Sequence, residues 1–376
     1  MKKRIALLLM ICLFGVMSAG CAGREAYEIA LVTDKGNVDD RSFNQGAWEG
    51  VVEFAGEQGI SHKFYRPEAS TDDAYFAAIE LAIQGGAKVI VTPGYLFEVA
   101  VYYAQLAYPE VTFILLDGTP HTADYAIYET KENVAGVLYA EEEAGYLAGY
   151  AAVMDGMRCL GFVGGMAVPS VQAFGYGYLQ GIEAAARELL LPADSVRVIY
   201  HYTGNFEEND TNKQSARAMY ASGAEVIFAC GGAAGKSVIS AAVEEHKKVI
   251  GVDVDQRYDS STVITSAMKG LSASVKEVLE SVYDGTFSEY AGKATYFTAA
   301  NHGIGLPTTV AAGDNGTAFD RFVHFTQEEY EAVFSRLADG TVDPVRTVSV
   351  ADAGGIATAE ELKAQLGLEC VTVEVR

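Results

Sequence analysis

The chain has 376 residues, of which 50% are hydrophobic and 20% are charged. This length allows roughly two to three domains with a sizeable core, and the composition excludes a disordered or collagen-like protein. Acidic residues outnumber basic ones by 50 to 27, which gives a formal net charge of −23. A surface this acidic repels phosphate backbones, so we expect no nucleic acid partner.

The N-terminus has the pattern of an export signal. Lys2, Lys3 and Arg4 precede an uninterrupted apolar run over 5–17, and a basic start followed by a short apolar stretch is typical of such signals. At 1.5 Å per residue the run covers about 20 Å, which is less than the ~30 Å hydrocarbon core of a bilayer. A normal membrane-spanning helix is therefore not predicted here.

The run ends in Ser18-Ala19-Gly20-Cys21, which resembles a bacterial lipobox, although Ser18 stands where leucine is usual. The resemblance implies a lipoprotein signal peptide over 1–20, acylation of Cys21 and a short tether over 21–26. It places the protein on the extracytoplasmic face of the cell membrane, held by a lipid anchor. The alternative is ordinary cleavage after a small residue, with Cys21 an incidental thiol.

From Tyr27 onward, short apolar runs alternate with amphipathic patterns, which predicts an α/β protein with parallel sheets. Strands are predicted at Ile29–Thr33, Lys88–Thr92, Thr112–Leu116, Leu160–Val163, Val196–Tyr202, Val226–Cys230 and Val249–Val252. Helices are predicted near Phe43–Gln58, Asp72–Gln84, Ala140–Met154, Gln172–Leu190, Asn212–Ala221 and Lys236–Glu245.

The chain is too long for one compact sheet, so two similar halves are expected, with a changeover at 131–136. Ligands of open α/β sheets bind beyond the carboxyl ends of the strands. Glycines, hydroxyls and carboxylates recur at those ends: Thr33-Asp34, Pro93-Gly94, Asp117-Gly118, Gly164-Gly165, Thr203-Gly204, Gly231-Gly232 and Asp253-Val254-Asp255. A cleft between the two halves is the predicted site.

Two glycine-rich segments superficially resemble nucleotide-binding loops. The run from Cys230 to Ser237 follows a strand and opens a helix, but Cys230 occupies the position where a phosphate-binding loop needs glycine. Gly175, Gly177 and Gly181 miss the dinucleotide spacing by one residue and fall inside a helical pattern. Both are better interpreted as local structure than as cofactor sites, and no cofactor is expected.

An acidic cluster of Asp34, Asp39 and Asp40 follows the first strand. Several carboxylates could hold calcium, and calcium-dependent nucleoside hydrolases open with a similar motif. Here Gly36 replaces one aspartate of that motif. The plainer interpretation is a solvated loop with helix-capping aspartates.

The six histidines of the chain are scattered, and no catalytic triad or metal-ligand spacing can be assembled from them. Phe43 and Phe206 differ from the other aromatic residues because each follows a strand end, at or shortly before a helix. Each is interpreted either as a helix-packing residue or as a stacking surface facing the cleft.

The segment from Thr33 to Gln45, together with Trp48-Glu49-Gly50, closely resembles the opening motif of the basic membrane protein family. These proteins are substrate-binding lipoproteins of ABC transporters and include the purine nucleoside receptor A group. The resemblance extends over about 27–345, through 133–149, 202–206, 226–235, 251–256 and 265–269.

The resemblance implies a type I periplasmic-binding-protein fold, in which two parallel-sheet α/β lobes are joined by a three-stranded hinge and the ligand lies in the cleft. The implied N-terminal lobe is 27–135 plus about 270–295. The implied C-terminal lobe is 136–269 plus about 296–376. The tail after Ser349 has no recognised counterpart.

The resemblance also implies roles for individual residues. Phe43 and Phe206 would sandwich a purine from opposite lobes. Asn44 and Asp117 would hydrogen-bond the edge of the base.

Four further residues would serve the sugar. Asp253 and Lys269, expected to pair with each other, would hold the ribose hydroxyls. Gly232 would allow close backbone approach, and Asp34 would support the network. Because Lys269 is the single cation expected there, a nucleoside 5′-phosphate should be excluded. The turn after Gly232 reads Ala233-Ala234-Gly235-Lys236 instead of the family's Thr-Gly-Asn-Gly.

The expected function is that of a monomeric, lipid-anchored receptor that binds purine nucleosides and delivers them to an ABC permease, without a catalytic step. One alternative is a pentose or other sugar receptor of the same fold. The other is a calcium-dependent nucleoside hydrolase.

Overall fold

The structure is a computed structural model that describes residues 26–34, 36–350 and 355–376. The predicted signal peptide over 1–20 and Cys21 lie outside the described residues. No helix in the described part of the chain combines the length and apolarity needed to cross a bilayer.

The strands are short and mostly buried, as continuous Val, Ile and Leu runs predict. Within the described ranges they are β1 (Ile29–Val32), β2 (His62–Tyr65), β3 (Val89–Pro93), β4 (Thr112–Leu116), β5 (Val134–Tyr139), β6 (Cys159–Gly164), β7 (Val196–Tyr202), β8 (Val226–Cys230), β9 (Lys248–Asp253), β10 (Val263–Lys269), β11 (Lys293–Phe297), β12 (Ile304–Gly305) and β13 (Val371–Val375).

The helices alternate with the strands over most of the chain. They are α1 (Phe43–Gln58), α2 (Asp72–Gln84), α3 (Glu98–Ala107), α4 (Glu141–Met154), α5 (Pro169–Glu188), α6 (Asp210–Ala221), α7 (Ala234–Glu245), α8 (Leu271–Asp284), α9 (Gln327–Ala338) and α10 (Ala359–Leu366).

The strands form two sheets. The first has the order β11-β5-β4-β3-β1-β2, and every pairing in it is parallel. The second has the order β12-β10-β9-β8-β6-β7-β13, and in it β12 alone among the described strands runs antiparallel to its neighbour. The predicted α/β class with two lobes is confirmed.

Three crossovers join the sheets: Ala140 after β5, Gly270 after β10, and the turn between β11 and β12. They lie side by side, since Ala140 N donates to Phe297 O at 3.0 Å and Gly270 N donates to Gly303 O at 2.8 Å. This is the three-stranded hinge expected of the fold. The predicted division between 135 and 136 falls inside β5, which pairs with both β4 and β11.

Helices α4 and α5 pack unusually closely because glycines line their contact. A Cβ added at Gly145 of α4 would overlap the carbonyl group of Phe174, and one added at Gly177 of α5 would overlap the carbonyl group of Glu142. Gly149 and Gly181 make equivalent contacts one turn further along. Two of the three glycines of α5 that superficially resembled a dinucleotide-binding motif, Gly177 and Gly181, therefore permit helix packing, while Gly175 makes room for Tyr200 of β7.

The C-terminal tail is part of the second lobe. Its strand β13 pairs in parallel with β7 and extends the sheet. Leu362 of α10 and Val371 of β13 are fully buried in the main hydrophobic core. The segment after Ser349, for which the sequence suggested no role, thus covers one edge of this sheet.

Candidate functional site

A cavity of about 650 Å³ lies between the two lobes, at the carboxyl ends of their strands. This size is in the range of small-molecule sites. The residues predicted to bind ligand all line it: Asp34, Phe43, Asn44, Asp117, Phe206, Gly232, Asp253 and Lys269.

Phe43 and Phe206 reach the cavity from opposite lobes. Phe43 is the first residue of α1, and Phe206 lies in the loop between β7 and α6. The ring of Phe206 packs onto Gly165, where a side chain would collide with it. Both phenylalanines also contact the hydrophobic core, so each serves packing as well as facing the cavity.

Lys269, at the end of β10, is the central cation of the site, and its side chain is only 2% exposed. It forms an ion pair with Asp117, and its Nζ lies 3.0 Å from Glu141 Oε1. Burial disfavours the charge, but Asp117, Glu141 and Asp253 outweigh burial and raise the pKa of Lys269. The expected pairing of Lys269 with Asp253 is wrong, since within the described ranges its ion-pair partners are Asp117 and Glu141.

Asp117 and Asp253 follow two strand ends and face the cavity. Burial raises the pKa of Asp117 to about 7, although Lys269 opposes the shift. Asp117 Oδ1 is buried and has no hydrogen-bond partner among the described residues, so it can accept a hydrogen bond from a ligand. Asp253 Oδ2 accepts a hydrogen bond from Ser42 Oγ on the other lobe at 2.5 Å. Burial raises the pKa of Asp253 as well.

Asn44 is held by two aspartates. Its Nδ2 donates to Asp34 Oδ1 and to Asp40 Oδ2, each at 2.9 Å, and its Oδ1 accepts from Asp34 N at 3.3 Å. Both amide hydrogens are therefore in use, which leaves none for the edge of a base. The arrangement makes Asn44 a residue that orients Asp34, whose pKa is raised by burial.

The aspartates of the acidic cluster after β1 form separate local hydrogen bonds. Asp40 accepts from the backbone N–H groups of Ser42, Asn44 and Gln45 at 2.8–3.1 Å and so caps α1. Asp39 instead accepts from Asn37 at 2.7 Å. Over 26–34, 36–350 and 355–376, no three His, Cys, Asp or Glu side chains are grouped so that they could hold a metal ion.

The glycine-rich turn after β8 borders the cavity through Gly231, Gly232 and Ala233. Gly232 has a φ of 54°, in the left-handed region that glycine tolerates. Lys236 does not turn toward the cavity, because its Nζ donates to Asp39 O on the opposite lobe at 3.2 Å. The geometry is that of a strand-to-helix turn at a cleft.

Several cavity residues were not predicted. Arg66 directly follows β2, a strand whose polar sequence gave little signal, so its position at a strand end was missed. Lys269 is thus not the single cation of the cavity. Glu141, which does not line the cavity but contacts Lys269, was missed because acidic residues in the first turn of a helix are common for reasons unrelated to ligands. Tyr95 and Phe174 add aromatic surface.

The lobes touch across the mouth of the cleft. Arg41 Nη2 lies 2.6 Å from Asp259 Oδ1, and Gln256 Nε2 donates to Arg41 O at 2.7 Å. Together with the bond between Ser42 and Asp253, these contacts bridge residues at the start of α1 and residues that follow β9.

The model of the Bmp family, described as ABC transporter substrate-binding protein PnrA-like, matches residues 27–334. This chain belongs to the Bmp family. It is accordingly a substrate-binding protein of the ABC transporter type.

Curated relatives and a solved structure also resemble this chain. The ABC transporter nucleoside-binding protein BmpA of Lactococcus lactis is 29% identical over 81% of this chain and 92% of its own. The CD4+ T-cell-stimulating antigen of Listeria monocytogenes is 28% identical over 91% and 98%. An ABC transporter solute-binding protein of Aeropyrum pernix K1 superposes with a TM-score of 0.75 at 23% identity, covering 91% of this chain and 99% of that one. This last likeness concerns the fold alone.

Proposed function

We propose that this chain is a lipid-anchored receptor that binds purine nucleosides outside the membrane and delivers them to an ABC permease. It acts as a monomer, without a cofactor and without a catalytic step. The observation that carries the proposal is the convergence of aromatic rings from both lobes and buried carboxylates on one cavity of about 650 Å³.

The chemistry of the cavity suits a nucleoside. Phe43 and Phe206 offer two aromatic faces to a planar base. Asp117 offers an acceptor to the edge of the base, Asp253 offers one to the ribose hydroxyls, which bring the donors, and Lys269 can donate in return. The name of the Lactococcus lactis relative, which describes a nucleoside-binding protein, supports the same ligand class.

The charge of the cavity argues against phosphorylated ligands. Among the described residues, its acidic lining residues outnumber the basic ones by six to two: Asp34, Asp40, Asp117, Glu207, Glu208 and Asp253 against Arg66 and Lys269. A phosphate dianion closed into this space would lose water and gain little compensation. The proposed ligand is therefore the free nucleoside.

The two alternative functions, a pentose receptor and a calcium-dependent hydrolase, make different demands on these residues. A pentose receptor would leave the aromatic faces of Phe43 and Phe206 without a planar partner. A calcium-dependent hydrolase would need Asp34, Asp39 and Asp40 on one ion, whereas Asp40 caps a helix and Asp39 is held by Asn37. The two phenylalanines therefore do not favour the pentose receptor, and the hydrogen bonds of the aspartates do not favour the hydrolase.

The deciding experiment is mass spectrometry of small molecules released when the purified protein is denatured, followed by calorimetry with inosine, guanosine, adenosine, ribose and arabinose. We expect a nucleoside to be released and to bind without added metal or turnover. Binding of the pentoses alone, or release of free base from an added nucleoside, would contradict the proposal.

A further inference from the structure

Arg346 lies outside the cavity, in the irregular segment between α9 and α10. The residue before it, Val345, exchanges two hydrogen bonds with the side-chain amide of Gln180 on α5, at 2.8 and 2.9 Å. The segment is thereby fixed to the second lobe, and the Arg346 side chain extends from it toward the hinge.

The guanidinium group of Arg346 spans the crossover at Ala140. It donates to Tyr139 O, the last residue of β5, at 2.8 Å. On the other side of the crossover it lies 2.7 Å from Glu141 Oε2 and 2.5 Å from Glu142 Oε2, at the start of α4. The Arg346 side chain thus contacts residues on both sides of the crossover at Ala140.

Glu141 continues this chain of contacts into the cavity. Its side chain is 1% exposed, and its second oxygen, Oε1, lies 3.0 Å from Lys269 Nζ. Lys269 in turn pairs with Asp117, which faces the ligand space. Glu141 is therefore a buried carboxylate held between two cations, Arg346 on the hinge side and Lys269 on the cavity side.

We propose that Arg346 is a positioning residue for ligand binding, which acts through Glu141 to hold Lys269 against Asp117. The inference rests on the proposed function, since it takes the cavity to bind a nucleoside. Without the guanidinium group, Lys269 alone would offset the charge of Glu141 and would be drawn away from Asp117.

Loss of the Arg346 guanidinium group should also change the protonation of Glu142 at the hinge. Burial raises the pKa of Glu142 to about 7, and Arg346 partly opposes that shift. Removing Arg346 should raise the pKa of Glu142 further. The titratable and charged groups that face this network from the surrounding elements are Asp117, Tyr139, Glu141, Glu142, Asp253, Lys269 and Tyr296.

The test compares Arg346→Met and Arg346→Lys by calorimetry with inosine and guanosine between about pH 6 and 8.5. The control is Arg217→Met, because Arg217 of α6 pairs with Glu244 and Glu245 of α7 at the protein surface. We expect Arg346→Met to weaken binding about tenfold at pH 8, with a smaller loss at pH 6, where Glu142 is protonated. Arg346→Lys should lose twofold to fivefold, and the control less than twofold.

Wild-type affinity and pH profile in folded Arg346→Met would overturn the inference. If that variant does not fold, Arg346→Lys decides, because it keeps the charge but not the contact to two carboxylates. Wild-type affinity in Arg346→Lys would then overturn it.

A failure of the proposed function is distinguishable from a failure of this inference. If the wild type binds no nucleoside, the melting temperature of the ligand-free protein is compared across the same pH range. The pKa of Glu142 is raised on folding, so stability falls as pH rises between its unfolded and folded pKa values. Arg346→Met should extend that fall to higher pH than Arg217→Met does, and parallel profiles would overturn the inference.

Discussion

Asp117 and Asp253 adopt left-handed backbone conformations, with φ values of 53° and 66°. Residues with a Cβ seldom do so, and such conformations persist where the surrounding structure requires them. Asp117 comes directly after the buried strand β4, Asp253 is the last residue of β9, and both side chains face the cavity. The tight turns thus direct two carboxylates to the ligand space at some cost in backbone strain.

Removing either aromatic face should weaken binding. Phe43→Ala and Phe206→Ala should each cost about 1–3 kcal/mol, as for bases stacked on aromatic side chains, which is roughly tenfold or more in affinity. Calorimetry with purine nucleosides measures this effect. Phe64→Ala is the control, because Phe64 lies outside the cavity and is 38% exposed. Normal binding by both cavity variants would leave core packing as the sole role of these rings.

Asp253→Asn should weaken the binding of nucleosides while leaving the weak binding of free bases almost unchanged, because the proposed role of the lost carboxylate is to bind the sugar. Nucleoside 5′-monophosphates should bind more weakly than the nucleosides to the wild type. Calorimetry with inosine, hypoxanthine and inosine monophosphate tests both statements. The exposed Asp314→Asn is the matched control. Equal or tighter binding of the monophosphate would refute the charge argument.

Sequence reasoning located the cavity residues better than it described their contacts. Asp34, Asp117 and Asp253 follow apolar strands, so their position beyond the strand ends is predictable. That Asn44 gives its amide hydrogens to Asp34 and Asp40 depends on side-chain geometry, which a residue pattern does not carry. The same is true of the pairing of Lys269 with Glu141.

The packing of α4 against α5 depends on the absence of side chains at four positions. Gly145 and Gly149 of α4 face backbone of α5, while Gly177 and Gly181 of α5 face backbone of α4. A methyl group at any of these positions would force the helices apart. Since α5 also contributes Phe174 to the cavity, this contact fixes one wall of the site.

Gly177→Ala should destabilise the protein by about 1–3 kcal/mol, in the range of overpacked cores. Urea denaturation of the ligand-free protein measures the free energy of unfolding. Gly56→Ala is the control, because Gly56 lies in α1 with nothing within 4 Å of an added Cβ. That change should stabilise the helix by roughly 0.5–1 kcal/mol. Similar effects in the two variants would contradict the close-packing explanation.

The elements predicted from the sequence were mostly buried ones, but not every buried strand was predicted. Helices α1 and α2 have the predicted bounds, and the central strands differ from prediction by about one residue. The strands β2, β5, β10, β11, β12 and β13 were not predicted. Of these, β2, β11, β12 and β13 lie at sheet edges, where short length and exposed polar residues weaken the apolar signal, whereas β5 and β10 lie inside their sheets.

The proposed attachment to the membrane concerns the whole molecule and depends on residues outside the described ranges. Cys21→Ser should release the protein from the membrane fraction, because the proposed lipid is attached through that thiol. Fractionation followed by intact mass measurement tests this prediction, with Cys159→Ser as the control. A Cys21→Ser protein that stays in the membrane fraction, and a wild type without acyl mass, would leave signal cleavage as the sole event at this site.

The three crossovers of the hinge mean that neither lobe is a continuous stretch of chain. The first sheet gains its edge strand β11 only at residue 297 of 376, and α1 is covered by α8 only after residue 271. A chain that leaves the cell N-terminus first must therefore keep its first lobe incomplete until most of its length has been translocated. For the export proposed above, the late emergence of 271–297 would be the event that completes the first lobe and commits it to fold.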